Sequence, residues 1–416
     1  MSIIKEYVES NNKQRIALVG YNSQGKSYQL NELAKEEKNR AVYVASETKS
    51  DDNMKNSADK TTLIEWLTKL VGVKEINNRI DEVISKLDIT SEITNISVSL
   101  NSSCNSYKGL IEFGIKTQNN DNGLPGSGEK FLGQLIMINN ILKTKEKVGY
   151  EWLIIDEPEV HLHHSLFPLI GKTLKNISEN GIKVVIATHS PEILNFFIKD
   201  TDEIIRMNNF NPYYLKKLDY YMNIKNDLII YKDNNYMMDS YKRLKPKEEF
   251  YFNEIMKENI LKALFAKTII IGEGIAEEQI FAMLKQKYSD SYYTLNIATI
   301  IAFGKCYIPW YAMILKDIGI NVISIYDRDE NKSKPNDLLK HKKINELIND
   351  LSNDTLPIFN QDGIDVNKIE EYLQIDTKSD DKAKSLINEM WSKYFDCSDD
   401  LSCLLEIIIH KVASLD

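Results

Sequence analysis

Cysteine is scarce and scattered. The four in this 416-residue chain, Cys104, Cys306, Cys397 and Cys403, make no C-x-x-C pair. That argues against a zinc module and against a disulfide framework, and it fits a reducing cytoplasm. Long apolar runs are missing too. None approaches the roughly 20 residues of a membrane-spanning helix, so no membrane partner is expected. The opening, MSIIKEYVESNNKQR, turns polar too early for a secretory h-region, and no signal peptide is expected. Nor is there an excess of positive charge: 52 Lys and Arg stand against 61 Asp and Glu, a net charge of -9. A protein that coats nucleic acid generally would carry the other sign. A nuclease is still allowed, because metal ions and a few lysines can set its local field. No internal repeat is visible.

What is present is ordinary for a globular chain: 43% hydrophobic and 27% charged residues, over a length sufficient for two or three cores. RIALVG and AVYVA read as short buried strands around a helix from Lys26 to about Glu37. After a polar loop, TLIEWLTKLVG and INNRIDEVISKL read as amphipathic helices, and ITNISVSL and GLIEFGIK as half-buried, antiparallel strands. The turn-rich TQNNDNGLPGSG opens a long helix, EKFLGQLIMINNIL. EWLIIDE and KVVIATHS are further strands, each followed by a helix. A Tyr-, Asn- and Lys-rich stretch then reads as a helical connector over 219–263. The strand–helix rhythm restarts at KTIIIGEG and runs through LNIATIIAFG and NVISIYDRD, a second α/β domain over 264–378. Residues 379–416 read as two helices packing on it.

Gly20-x-x-x-x-Gly25-Lys26-Ser27 is a phosphate-gripping loop between a strand and a helix. Its backbone N–H groups, those of Asn22 and Gln24 included, can close around phosphates. Lys26 can reach the β- and γ-oxygens, and Ser27 can hold Mg²⁺ at a helix N-terminus. WLIIDEPE carries Asp156 to a strand end, where it can hold the same ion. Glu157 follows, placed to polarise an attacking water. His189 closes the next strand at the same sheet edge and can sense the γ-phosphate.

A second cluster follows. Glu273 ends an apolar strand, Gly274 turns, and Glu277 opens a helix. Asp327 and Asp329 stand two apart at another strand end, where period-two geometry predicts both carboxylates on one side, a chelate for hard divalent cations. Lys305, and lysines of the KSK and LKHKK runs within 332–343, are candidates for neutralising charge on a phosphate.

GYNSQGKS, LPGSGEKF, LIIDEPEVHLHH and IATHS together resemble an ATP-binding-cassette (ABC) ATPase. The resemblance implies a head-to-tail dimer closed by ATP, with Ser127, Gly128 and Glu129 in the place of the signature loop. The usual second glycine and glutamine of that loop are replaced, and no aromatic before the phosphate loop can be named as an adenine-stacking residue. Glu273-Gly-x-x-Glu277, then Gly304-Lys305, then Asp327-x-Asp329 resemble the Toprim domain. A cassette ATPase followed by Toprim resembles the OLD family of ATP-dependent nucleases, which includes ATPase-nucleases of bacterial antiphage systems. The resemblance covers roughly 10–375. It implies a DNA-cutting nuclease using Mg²⁺ or Mn²⁺, with Glu273, Glu277, Asp327 and Asp329 as metal ligands and Glu370 or Glu371 as a further one. Ala276 stands where the family often has threonine or serine.

The fold class expected is therefore α/β: an ABC-type P-loop ATPase domain with a mixed sheet over 1–218, then a smaller parallel-sheet Toprim domain and C-terminal helices. The function expected is an ATP-binding, ATP-hydrolysing, metal-dependent endonuclease of antiphage defence, cytoplasmic and dimeric or larger through its ATPase domains. A helicase, or a reverse transcriptase with its RNA, is a plausible partner. Two alternatives stand beside it: an ATPase sensor or scaffold whose Toprim domain binds without cutting, and the same nuclease acting on RNA such as tRNA. A topoisomerase is disfavoured, since no separate domain offers a nucleophilic tyrosine. A zinc-bearing primase is disfavoured by the cysteines.

Overall fold

The computed structural model describes residues 2–45, 63, 66, 97–99, 114–116, 127–143, 150–160, 162–217, 256–329, 335–357, 373, 375 and 382–415. Most of the helices read over 62–87, most of the connector, the KSK run and Glu370 and Glu371 lie outside these residues. Chain contacts divide the protein into two units, Met1–Pro212 and Tyr213–Asp416.

The first unit opens with α1 (Ile3–Ser10), whose cap Ser2 accepts the Ile4 N–H at 3.3 Å. Then come β1 (Arg15–Val19), α2 (Lys26–Glu36), β2 (Ala41–Val44), β3 (Ser97–Ser99) and β4 (Gly114–Lys116). These are followed by α3 (Ser127–Leu142), β5 (Trp152–Asp156), α4 (Phe167–Glu179), β6 (Lys183–Ala187), α5 (Pro191–Phe197), β7 (Ile204–Asn208) and β8 (Asn211–Tyr214), whose last two residues fall past Pro212. The strands order as β2-β5-β6-β1-β7-β8. β2, β5, β6, β1 and β7 pair in parallel. β7 and β8 are joined only by Asn209 and Phe210, a two-residue connection that reverses the chain and makes the sheet mixed. β3 and β4 pair antiparallel, as their alternation predicts.

Alternation explains why these strands read as unbroken apolar runs. Ile16, Leu18, Trp152, Ile154, Val185, Ala187, Ile205 and Met207 share a core with α1 and α2. The opposite-facing Ala17, Leu153, Ile155, Val184 and Ile186 are equally buried, with α4 against β6. A parallel sheet covered on both faces needs both parities apolar.

The second unit holds α6 (Lys257–Ala263), β9 (Thr268–Gly272), α7 (Ile275–Lys287), α8 (Ser289–Thr294), β10 (Ile297–Ile301), α9 (Ile308–Asp317) and β11 (Asn321–Tyr326). α10 (Pro335–Leu351), β12 (Asp354–Pro357), α11 (Lys382–Phe395) and α12 (Asp399–Ser414) complete it. Its sheet, β10-β9-β11-β12, is parallel throughout. Ile270, Ile323 and Ile325 pack under α7, α11 and α12 through Ile280, Leu284, Met390, Leu404 and Ile408. α9 covers the other face of β9 and β11. α6, read from sequence as the end of the connector, packs in this unit: Ile260 and Leu261 are buried, and Asn259 Nδ2 donates to Tyr311 Oη at 3.0 Å. Among the described residues no helix is long and apolar enough to cross a membrane.

Candidate functional site

The phosphate loop leaves β1 through Gly20 at φ +128°, where a β-carbon would lie 2.4 Å from the Met207 carbonyl oxygen. It enters α2 through Gly25 at φ +94°, where a β-carbon would lie 2.6 Å from the Phe210 ring. Both positions therefore exclude a side chain. The Lys26 ammonium donates to the loop's own carbonyls, Gly20 O at 2.8 Å and Tyr21 O at 3.0 Å. Lys26 is buried, and burial lowers its pKa to about 8 against the opposing pull of Asp156, Glu157 and Glu159. Asn22 and Ser27 are exposed.

Gln24, read as a phosphate-side residue, has a structural duty. It is buried, its Oε1 accepts the Asn209 N–H, and its own carbonyl accepts the Phe210 N–H at 3.2 Å. The β7–β8 turn is thereby clamped onto the loop.

β5 and β6 end side by side, with Asp156 in register with Ala187. Asp156 is 6% exposed. Glu157 follows at φ +50°, its N–H donating to Ala187 O at 2.8 Å. A non-glycine residue in that region is uncommon and is held there by its surroundings. His189 Nε2 lies 3.9 Å from Glu157 Oε1. Burial, then the Lys26 charge, lowers the pKa of His189 to about 4, so this is contact with a neutral ring and not an ion pair. Glu159 was not singled out from the sequence, yet it sets this corner: its carboxylate accepts the Thr188 hydroxyl at 2.8 Å and the His189 N–H at 2.6 Å. Lys26, Asp156, Glu157, Glu159 and His189 thus share one sheet edge. Ser127 and Gly128 stand at the N-terminal end of α3, with Gly128 buried.

In the second unit, parallel register sets Gly272 opposite both Ile301 and Ile325. Glu273 therefore leaves β9 level with the ends of β10 and β11. Its carboxylate takes hydrogen bonds from the backbone of Asp327 and Lys305. Its Oε2 is buried and has no hydrogen-bond partner among the described residues. Burial, reinforced by Asp329 and opposed by Lys305, raises the Glu273 pKa. Glu277, 3% exposed, turns back to accept the Gly274 N–H at 2.8 Å, the acidic half of a capping box. Burial, then repulsion from Asp327, pushes its pKa up to about 8.

Asp327 and Asp329 do reach this edge, but not by strand alternation. β11 ends at Tyr326, and Asp329 sits in the left-handed region at φ +54°. The loop is held from outside. The buried Lys305 ammonium donates to the Asp327 carbonyl and to Arg328 O at 3.0 Å, and lies 3.7 Å from Asp329 Oδ2. His341 Nδ1 lies 3.6 Å from the same oxygen, and Asn345 Nδ2 donates to Arg328 O at 3.0 Å. His341 and Asn345 come from α10 and carry no local sequence signal that would have marked them.

The four acids are a fit donor set for a hard divalent cation, and the partnerless Glu273 oxygen is what such an ion would satisfy. Among the described residues, however, no three His, Cys, Asp or Glu already form a ligand cage. Lys305 supplies the countercharge, and the Glu277 carboxylate is engaged at its helix cap.

Comparison with known proteins agrees with this division. Residues 134–195 match the family described as "AAA domain, putative AbiEii toxin, Type IV TA system". That span contains Asp156, Glu157 and His189. Residues 264–329 match "Overcoming lysogenization defect protein-like, TOPRIM domain", which runs from before Glu273 to Asp329. Endonuclease GajA of Bacillus cereus (strain VD045) is 24% identical over 286 residues, 64% of this chain and 44% of that protein. Protein ea59 of Escherichia phage lambda is 26% identical over 167 residues, 36% of this chain and 31% of that protein. The chain thus spans less than half the length of these curated relatives. An AAA-type ATPase segment followed by an OLD-like Toprim segment is the organisation of the OLD family of ATPase–Toprim proteins, and this chain has it.

Proposed function

We propose that the chain is an ATP-hydrolysing, Mg²⁺- or Mn²⁺-dependent endonuclease that cuts DNA, a defence effector gated by nucleotide and by assembly. The observation that carries the reading is the meeting of Glu273, Glu277, Asp327 and Asp329 at one sheet edge around the Lys305 ammonium. Four carboxylates so placed repel one another, and two of them have raised pKa values. A fold that keeps them there without a binding purpose would bear that cost for nothing. Glu273, Asp327 and Asp329 hold the catalytic ions, and Glu277 joins them by releasing its helix cap. Such ions would activate a water and stabilise the leaving oxygen of a phosphodiester. Lys305 positions the aspartate loop and adds positive charge beside the scissile phosphate.

In the ATPase unit, the Gly20–Ser27 backbone, with Asn22, Gln24 and Gly25 in the loop, cradles the phosphates. Lys26 turns from the Gly20 and Tyr21 carbonyls to the phosphate oxygens, Ser27 and Asp156 hold Mg²⁺, and Glu157 orients water beside a neutral His189. Ser127 and Gly128 face the γ-phosphate bound by a second copy, so ATP occupancy sets the assembly. The name of the relative GajA, an endonuclease, supports the cutting activity.

The test is incubation of the purified chain with plasmid, single-stranded DNA and tRNA, with and without Mg²⁺, Mn²⁺ and ATP. Asp327→Ala should abolish metal-dependent cutting and leave ATP binding intact. Undiminished cutting by that variant would place the active centre elsewhere.

A further inference from the structure

Two large aromatic side chains beside the phosphate loop are exposed where burial would be the default. Tyr28, the residue after Ser27, is 54% exposed, and Phe210, in the β7–β8 turn, is 58% exposed. Their centroids are 6.1 Å apart with planes at 79°, which makes an open corner rather than a closed stack. The corner is anchored to the loop. Phe210 donates its N–H to Gln24 O, Asn209 donates to the Gln24 side chain, and the Phe210 ring occupies the space a β-carbon on Gly25 would need.

The turn also has the wrong residue for its own stability. Asn209 at φ +47° and Phe210 at φ +63° form a primed two-residue hairpin, whose second position is normally glycine. A bulky ring there is strained. Strain and an exposed apolar face, kept together next to an anion-binding loop, ask for a ligand that repays both. Meanwhile Tyr7, an aromatic before the loop, is committed elsewhere: its hydroxyl donates to Asp202 O at 2.8 Å.

We infer that Tyr28 and Phe210 form the platform for the nucleobase of the nucleotide whose phosphates the Gly20–Ser27 loop holds. The base stacks on one ring and meets the edge of the other, so the aromatic contact comes from after the loop and from the β7–β8 turn. The inference rests on the nucleotide-binding reading of the loop given above.

Calorimetric titration of the full chain with Mg²⁺ and either ATP or inorganic tripolyphosphate separates base from phosphate. The wild type should bind ATP more tightly than tripolyphosphate. Phe210→Leu and Tyr28→Leu, which keep apolar bulk but remove the π face, should each weaken ATP about tenfold, the scale of one base–aromatic stack. Neither should alter tripolyphosphate affinity, and Phe210→Trp should restore ATP. An equal loss for both ligands would mean loop distortion and overturn the platform, as would unchanged ATP affinity. Unchanged ATP affinity with an altered mass in sedimentation would assign the corner to contact between copies instead. Lys26→Ala should weaken both ligands. If the wild type binds neither, the nucleotide-binding reading itself falls, a result distinct from loss of the platform alone.

Discussion

His189 shows how one side chain at the ATPase edge is set by what surrounds it. Its N–H is fixed by Glu159, and burial and the nearby Lys26 charge keep its ring neutral down to about pH 4. An imidazole in the unfolded chain titrates near 6.5. The unfolded state therefore takes up a proton that the folded state refuses between about 6.5 and 4. Stability contributed by the neutral ring is complete above that window and is lost as the pH falls through it. Urea midpoints measured from pH 7.5 to 4 should fall less for His189→Gln than for the wild type. The difference should be on the order of 2 kcal/mol, allowing for partial exposure of the ring. Parallel profiles would mean that the ring titrates normally. The same neutrality bears on function, since a neutral ring can donate one hydrogen bond to a γ-phosphate without carrying charge.

At the scale of elements, what matters is how β1 and β7 are tied together, because β1 launches the phosphate loop and β7 carries Met207 and the turn that clamps it. Arg15 at the start of β1 pairs with Glu203 just before β7, Nε to the two carboxylate oxygens at 3.1 and 3.0 Å, and both residues are 7% exposed. Ser178 Oγ accepts from the guanidinium, and the Lys199 N–H donates to Glu203. Removing one member leaves a buried charge. Glu203→Ala should cost about 3 kcal/mol in denaturant unfolding, the low end for a broken buried pair. The low end applies because the half-exposed Glu179 still approaches Arg15 at 3.4 Å. The double substitution Arg15→Met, Glu203→Leu should recover most of that loss, and a double variant as unstable as the single one would show that packing, not charge, was removed. This tie spans 188 positions, and nothing local in either segment announces it.

The same contrast marks the sites. The strands were legible because sheets covered on both faces demand unbroken Ile and Val runs, and the loop glycines because backbone geometry there admits no side chain. The aspartate pair was legible as residues but not as geometry. Strand alternation predicted both carboxylates on one side of a strand end, whereas Asp329 lies past the strand in the left-handed region, in a loop held by Lys305, His341 and Asn345. The second duty of Gln24, clamping the turn through its side chain and carbonyl, was not legible because its partners, Asn209 and Phe210, stand far along the chain in a turn without the usual glycine.

At the scale of the molecule, each unit has its own core, one gathered on β1, β5, β6 and β7, the other on β9 and β11 under the C-terminal helices. Ligands that bind one native unit and not its unfolded chain raise the stability of that unit alone, by about 2.7 kcal/mol at a hundred times the dissociation constant. For units of about 200 residues that corresponds to roughly 5–10 °C. Scanning calorimetry should therefore show two transitions with separate responses. ATP with Mg²⁺, compared with Mg²⁺ alone, should raise one of them, and Lys26→Ala should abolish that shift while Asp327→Ala leaves it. Mn²⁺ should raise the other, and there the two substitutions should exchange roles. A single transition moved equally by both ligands, and by both substitutions, would show that the two cores melt as one and that nucleotide is felt in the acidic site through stability itself.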